Sequence, residues 1–409
     1  MQEPDRNVGG EPLIVRDIPY PYRAMLAICS DLDETRDADT YLTTSRFLNS
    51  RAKTRFGQGL GLEVGNSMYF HMADGEFSYW NATDDDREQI NCLMRAGFVD
   101  AIHSFGDTAV ERSQCASTLE HLDKAGCKLK VWIDHAIAPS NFGPDIMKGR
   151  GDVPSSKVYH ADLAFAYGIE YVWLGRVTSV IGQDCRPRFR GIWQPRFGHG
   201  AILTVGKELA KHGLAALGHR KYRSHIENSI LRPVTLRNGQ RTYEFLRSNS
   251  HPLGVSHGDN AAGIRTTLSA AVLDGLEERN AKSILYTHLG KKIDSKSGFA
   301  RQDIAALEEL ATRMSDRRIL MLTTRRLLDY CLMLKTVQIS TSSKSDSTDI
   351  HVTSGAGDKS CSGLTFEVPA SQASRVFVDG RAREVAETAN STTGRTIVSI
   401  PFLPLAYPE

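Results

Sequence analysis

The sequence predicts a mixed α/β protein, a parallel α/β barrel or open sheet followed by a small all-β module. Short apolar runs alternate with stretches of helical spacing from Arg23 to about residue 336. Most of these runs stop at ionisable residues, which is where parallel α/β folds build their sites. Beyond Val337 the composition turns to Ser, Thr and Gly with short alternating runs. The expected organisation is a polar lead-in over 1–22, a main domain over 23–336 and a β-rich domain over 337–409.

The first apolar run, Ala24 to Ser30, reads as a buried strand that opens into Asp31 and Asp33. If the strand stays extended, residues two apart share a face, and two like charges there call for a cation, a shared proton or strong donors. The plainer alternative is a cap for the next helix, Asp39 to Ala52. Gly57, Gly59, Gly61 and Gly65 then lead into a strand, Ser67 to His71. Without the Lys-Ser/Thr ending this series is no phosphate loop, and it predicts close backbone approach instead.

Asp86 to Ala96 reads as a helix stopped by Gly97, and Phe98 to Ile102 as a strand ending in His103-Ser104-Phe105-Gly106-Asp107. A helix over Thr108 to Ala125 precedes the strand Lys128 to Ile133, which stops at Asp134 and His135. Helix Ser156 to Tyr167 and strand Glu170 to Leu174 continue the rhythm. Over 175–240 Arg, Gly and Pro break the pattern, predicting an insertion or long loops above the site. Strand Tyr243 to Arg247, helix Asn260 to Arg279 and strand Ser283 to Tyr286 follow, the last delivering Thr287-His288. Helix Ala300 to Met314, strand Ile319 to Leu322 and helix Arg325 to Met333, capped by Thr323, close the domain. In the β-rich part, strands are expected at 336–340, 349–353, 363–368, 375–378 and 396–400, with a turn at Val378-Asp379-Gly380.

The 409 residues are 41% hydrophobic, enough for a substantial core, and the net charge of +2 gives no global case for nucleic acid. Basic clusters at Arg186 to Arg190 and His219 to His225 could meet phosphate or an acidic sugar, or lie solvated. The seven cysteines are scattered without a Cys-x-x-Cys, against both a disulfide scaffold and a cysteine-rich zinc site. Met1 to Gly10 is polar and no run approaches the ~18 apolar residues of a membrane span, so a soluble, cytoplasmic protein without a transmembrane segment is expected.

The strand ends collect Asp31, Asp33, His103, Asp107, Asp134, His135 and His288. His103 and Asp107 are four apart, the spacing that places two ligands on one helical turn. With Asp33 they make two oxygen donors and one nitrogen donor, with room for water, as catalytic divalent sites require.

This pattern resembles the polysaccharide deacetylase superfamily, the NodB-homology or carbohydrate esterase family 4 group. Ser30-Asp31-Leu32-Asp33-Glu34 looks like a divergent form of its first motif, with one residue inserted between the acids. His103-Ser104-Phe105-Gly106-Asp107 looks like its His-Ser/Thr-x-x-His motif, with aspartate for the second histidine. Ile284-Leu285-Tyr286-Thr287-His288 looks like its last motif, a strand running into a histidine. The family's arginine-proline motif is not evident; Trp132, Asp134, His135 and Asn141 occupy that region and are taken as substrate-lining, together with His257 and Asp259.

The resemblance implies a distorted (β/α) barrel and metal-assisted hydrolysis of an acetyl group, N-acetyl in preference to O-acetyl, on a sugar or glycan precursor. It implies Asp31 as base, His288 as general acid, and Asp33, His103 and Asp107 holding a divalent ion, zinc first, with nickel or cobalt as alternatives. Trp80, Trp132 and Trp173 are candidates to stack on sugar rings. The main rival reads Asp31 as the nucleophile of a haloacid-dehalogenase-type phosphatase, with Lys207 as the lysine of an intervening strand-to-helix turn and His257-Gly258-Asp259-Asn260 as the distal acidic motif. A catalytically inactive carbohydrate-binding barrel is the third reading.

Overall fold

The computed structural model describes residues 7–8, 11–31, 33–108, 111–136, 138–185, 198–219, 222–344, 347–369, 373–390 and 393–408. It divides into two compact units, one of Met25–Arg325 with Leu405–Glu409 and one of Met1–Ala24 with Arg326–Pro404. The basic cluster Arg186 to Arg190 lies outside the described residues.

The larger unit is mixed α/β around one curled sheet. Strands β1 (Ala24–Ser30), β2 (Gly65–Met68), β3 (Val99–His103), β4 (Val131–Ile133) and β5 (Tyr171–Trp173) are parallel neighbours in that order. On the other side of β1 runs β10 (Lys282–Thr287), paired from Lys282 with Met25 to Thr287 with Ser30. Between these ends stands a single run of chain, 241–248. Its first part, β8 (Arg241–Phe245), pairs with β5, and its second, β9 (Arg247–Ser248), pairs with β6 (Val177–Thr178) and with Leu285 of β10. The ladder therefore comes back to the strand beside which it began. Strand β7 (Leu231–Thr235) lies antiparallel on β8, and β11 (Ile319–Leu322) pairs with β1.

Local chemistry explains the connecting helices. Helix α1 (Ala38–Asn49) starts where the Asp37 carboxylate accepts the Thr40 N–H at 2.7 Å. Helix α2 (Asp84–Ala96) has Thr83 as N-cap, three aspartates in its first turn and Gly97 in the left-handed region at its end. It buries Ile90, Leu93 and Met94, the apolar face that the spacing predicts. Helices α3 (Arg112–Lys124) and α4 (Ala161–Tyr167) are shorter than expected; α3 starts after Glu111 as N-cap, and before α4 residues 156–158 form a bend and turn where a first helical turn was expected. At Gly59 an added Cβ would stand 2.4 Å from the Ser50 carbonyl oxygen, the close approach that the glycine series predicts.

One expectation is corrected. The single helix expected over 260–279 is three pieces, Ala261–Gly263, Ile264–Thr267 and α7 (Ala270–Glu278). The Thr267 hydroxyl bonds back to the Gly263 carbonyl and Ser269 turns extended, so the apolar periodicity carries across a break. Over 175–240, where an insertion or long loops were expected, the chain forms regular elements: β6, helices α5 (Gly198–Ala216) and α6 (Arg223–Glu227), and β7. Helix α8 (Arg301–Ser315) and helix α9 (Thr324–Thr336) follow the expected order.

The smaller unit holds two four-stranded sheets. One joins Gln338–Lys344, Ser347–Thr353, Ala373–Val378 and Arg381–Arg383, turned at Asp379 and Gly380, both in the left-handed region. The other joins Ala386–Asn390, Arg395–Ser399, Thr365–Pro369 and Ile14–Val15, so part of the N-terminal lead-in is an edge strand of this unit.

Asp100 in β3 supplies a stability prediction. Its Oδ2 accepts the Arg325 N–H at 2.8 Å, while Oδ1 has no hydrogen-bond partner among the described residues. Burial pushes its pKa up to about 7. A carboxyl that holds its proton longer folded than unfolded costs stability as pH rises, by about 1.4 kcal/mol per unit between the two pKa values. Asp100→Asn therefore gains on the wild type as pH climbs from about 4 to 7. Urea denaturation of both proteins at pH 5 and pH 8 reads this as a widening gap.

Candidate active site

The parallel strands deliver their C-terminal ends to one side, and ionisable residues meet there. Asp31, just past β1, is buried, and its N–H donates to the Thr287 carbonyl at 2.8 Å. Its Oδ2 accepts from Arg247 Nη1 at 2.6 Å and its Oδ1 from Ser67 Oγ at 3.4 Å. Arg247 is fully buried, with its guanidinium carbon 4.0 Å from the Trp173 ring centre and 5.2 Å from that of Tyr286. Its Nε and Nη2 have no hydrogen-bond partner among the described residues, so the aromatic faces and Asp31 carry its charge. Burial disfavours the cation, yet Asp31 more than offsets this and the net shift is upward.

Asp33 is the hub. It does not share a strand face with Asp31, because β1 ends at Ser30 and Glu34 turns into the left-handed region at φ 58°. Tyr69 Oη donates to its Oδ1, while Oδ2 stands 3.3 Å from His135 Nε2 and 3.4 Å from His288 Nε2. Burial would raise its pKa, but the two imidazoles and His103 hold it well below the usual carboxylate range. His103 lies between both acids, Nδ1 3.6 Å from Asp33 and Nε2 4.0 Å from Asp31, with Tyr69 stacked on it at 4.4 Å. Burial pulls His103 down to about 4, which favours the neutral imidazole at pH 7, and its Nδ1 also stands 3.1 Å from Ser67 Oγ.

His135 and His288 go the other way. Burial opposes their charge, but Asp33, with Asp107 beside His135 and Asp31 near His288, raises both. Each ring is oriented from behind. Asp107 Oδ1 is 2.9 Å from His135 Nδ1, and the Asp259 backbone oxygen is 2.5 Å from His288 Nδ1, so both Nε2 atoms face Asp33. Tyr286 Oη stands 3.4 Å from His288 Nε2.

The other expected lining residues sit elsewhere. Trp132, Asp134 and Asn141 are buried supports of the loop that carries His135. Asn141 accepts the His135 N–H and donates to the His135 carbonyl, both at 2.9 Å. Asp134 accepts from Trp132 Nε1, Phe142 N and Gly143 N, and burial pushes it up to about 7. Asp259 offers its main chain to His288, and His257 is exposed and stacks on His251 at 5.8 Å. Trp132 and Trp173 are buried, which leaves the half-buried Trp80 as the accessible member of the three.

Residues 104–107 form a left-handed turn, not a turn of helix, with φ of 52°, 58° and 100° at Ser104, Phe105 and Gly106. At Gly106 a Cβ would stand 2.1 Å from the His71 carbonyl oxygen, so only glycine fits. The turn directs Asp107 to His135, in place of the expected partnership with His103.

Sequence reasoning missed Arg247, Tyr69 and Tyr286. Arg247 was visible by the rule that found the others, a charge at the end of an expected strand. Tyr69 and Tyr286 carried no such signal.

Among the described residues no group of three His, Cys, Asp or Glu side chains is placed to hold a metal ion; Asp33 is in direct contact with His135 and His288 instead. The donor types, one carboxylate and two imidazoles, are those that divalent ions take. Asp33 Oδ2 stands 3.3 Å from His135 Nε2 and Asp33 Oδ1 3.6 Å from His103 Nδ1, so the two contacts use different oxygens of one carboxylate. Asp107 behind His135 is the outer carboxylate that metal-bound imidazoles commonly have. No family model matches the chain, and no curated protein matches it.

Proposed function

We propose that the protein is a metal-dependent hydrolase that removes an acetyl group, N-acetyl in preference to O-acetyl, from a sugar or glycan precursor. The observation that carries this reading is the convergence of Asp31, Asp33, His103, His135 and His288 from four strand ends on one point. The return of the sheet through residues 241–248 supports a distorted (β/α) barrel of the polysaccharide deacetylase type. A cytoplasmic setting belongs to the same reading and rests on the scattered cysteines.

Asp33, His103 and His135 would hold the divalent ion, zinc first, with nickel or cobalt as alternatives; Asp107 moves from ligand to the orienting partner of His135. When bound, the ion supplies Lewis acidity toward the acyl oxygen and the attacking water. Asp31 takes the proton of that water, with the Arg247 guanidinium as its counter-charge at 2.6 Å. His288 gives a proton from Nε2 to the leaving amine, its Nδ1 fixed on the Asp259 carbonyl. Tyr69, stacked on His103 and donating to Asp33, keeps both in place.

The phosphatase reading has less support. Lys207 is exposed on α5, and Asp259 turns its main chain to the site.

Elemental analysis and acetate release from a panel of acetylated sugars test the reading together. His103→Ala is expected to lose the metal, whereas His288→Ala keeps it and drops kcat by roughly 10²–10⁴, the usual worth of a general acid. Wild type that binds no divalent ion and frees no acetate overturns the reading. Magnesium dependence with fluoroberyllate inhibition would point back to the phosphatase.

A further inference from the structure

Tyr286 is a polar group at the site to which the proposed chemistry gives no role. It lies in β10 two residues before His288, so both side chains project from one face of the strand. Its ring is held on three sides: Trp173 stacks on it at 5.4 Å, the Arg247 guanidinium carbon stands 5.2 Å from its centre, and the His288 ring meets it edge-on at 5.1 Å. Phenylalanine would fill the same space, and Ile284, the preceding residue on this face, is apolar and buried. The hydroxyl adds a desolvation cost that packing does not require.

Among the described residues the one hydrogen-bond partner of Tyr286 Oη is His288 Nε2, at a long 3.4 Å. Burial raises the phenol pKa above its ordinary value, so the group stays a neutral hydroxyl with one hydrogen to donate and lone pairs to accept. His288 Nδ1 is turned to the Asp259 backbone oxygen at 2.5 Å, which leaves Nε2 to face the reacting bond. A leaving atom in contact with Nε2 is therefore within reach of Oη. The other neighbour of Nε2, Asp33 Oδ2 at 3.4 Å, is committed to the ion in the proposed reaction.

We infer that Tyr286 Oη accepts the N–H of the amide being cut and thereby sets the preference of the site for amides over esters; the inference rests on the deacetylase reading. In that reading water adds to the acyl carbon as Asp31 takes one of its protons. The C–N bond then breaks with its electron pair going to nitrogen, which takes the Nε2 proton. Acetic acid and the free amine leave, and the proton on Asp31 replaces, by way of solvent, the one that His288 gave. As Nε2 gives up its proton it accepts the Oη hydrogen, so the phenol turns only lone pairs to the substrate. Lone pairs attract the N–H that an amide carries and repel the bare oxygen of an ester.

Acetate release from methyl 2-acetamido-2-deoxyglucoside and methyl 2-O-acetylglucoside, which differ only in that group, tests the inference on wild type and Tyr286→Phe. The variant is expected to lose about ten-fold or more in kcat/KM on the amide, the worth of one hydrogen bond at the reacting atom, and less than about three-fold on the ester. It keeps the ring, so its bound metal and its denaturant midpoint should match the wild type. An equal loss on both compounds overturns the inference, since the phenol would then only hold His288. An unchanged amide-to-ester ratio overturns it too, and either result leaves the deacetylase reading standing. Wild type that binds no divalent ion and frees acetate from neither compound ends the reading and the inference together.

Discussion

Asp33→Asn is expected to abolish turnover, with a fall of at least ~10³-fold, because one carboxylate connects Tyr69, His103, His135 and His288. The variant should also lose the divalent ion, which elemental analysis reads directly. A second readout separates a hub from a mere ligand. In metal-stripped protein the His135 and His288 imidazoles titrate above the usual value, because Asp33 favours their cations against burial. Removing that charge leaves only Asp107 beside His135 and Asp31 near His288 to oppose burial, so both titrations fall when followed by NMR. If the two imidazoles keep their raised values in Asp33→Asn while activity persists, the hub does not exist.

Arg247→Met is expected to be the most destabilising single change near the site, at about 3–5 kcal/mol, because it strands the buried Asp31 without a counter-charge. Among the described residues nothing else carries a positive charge to Asp31 at hydrogen-bond distance; Ser67 gives only a hydroxyl at 3.4 Å. Stability should return in large part when Asp31→Asn is added, since the uncompensated charge is then gone. Activity should not return, because the proposed base is gone with it. Denaturant unfolding of both singles and the double completes the cycle. Additive losses would mean that the ion pair contributes no coupling and that Arg247 matters only for filling space between Trp173 and Tyr286.

Much of the larger unit was legible in the chain. The strand ends at Asp31, His103, Asp134 and His288 came from apolar runs that stop at charge, a signal confined to a few consecutive residues. The same locality explains the capped helix Asp84–Ala96 and the Asp379-Gly380 turn. The long-helix expectation over 260–279 failed because hydroxyl competition at Thr267 and Ser269 breaks the backbone without disturbing the apolar spacing. The strand Ile14–Val15 was hidden because its partner, Thr365–Pro369, lies some 350 positions along the chain.

By itself the sequence determined which residues end the strands and therefore which acids and imidazoles share one side of the sheet; alternation and strand polarity settle that locally. Tertiary structure alone decided their pairing. The left-handed turn at 104–106 sends Asp107 to His135, the fully buried Arg247 arrives beside Asp31 from 216 positions away, and Asp134 with Asn141 retire beneath the loop. Which oxygen meets which nitrogen depends on backbone direction and burial summed over the whole sheet, and no stretch of sequence contains that sum.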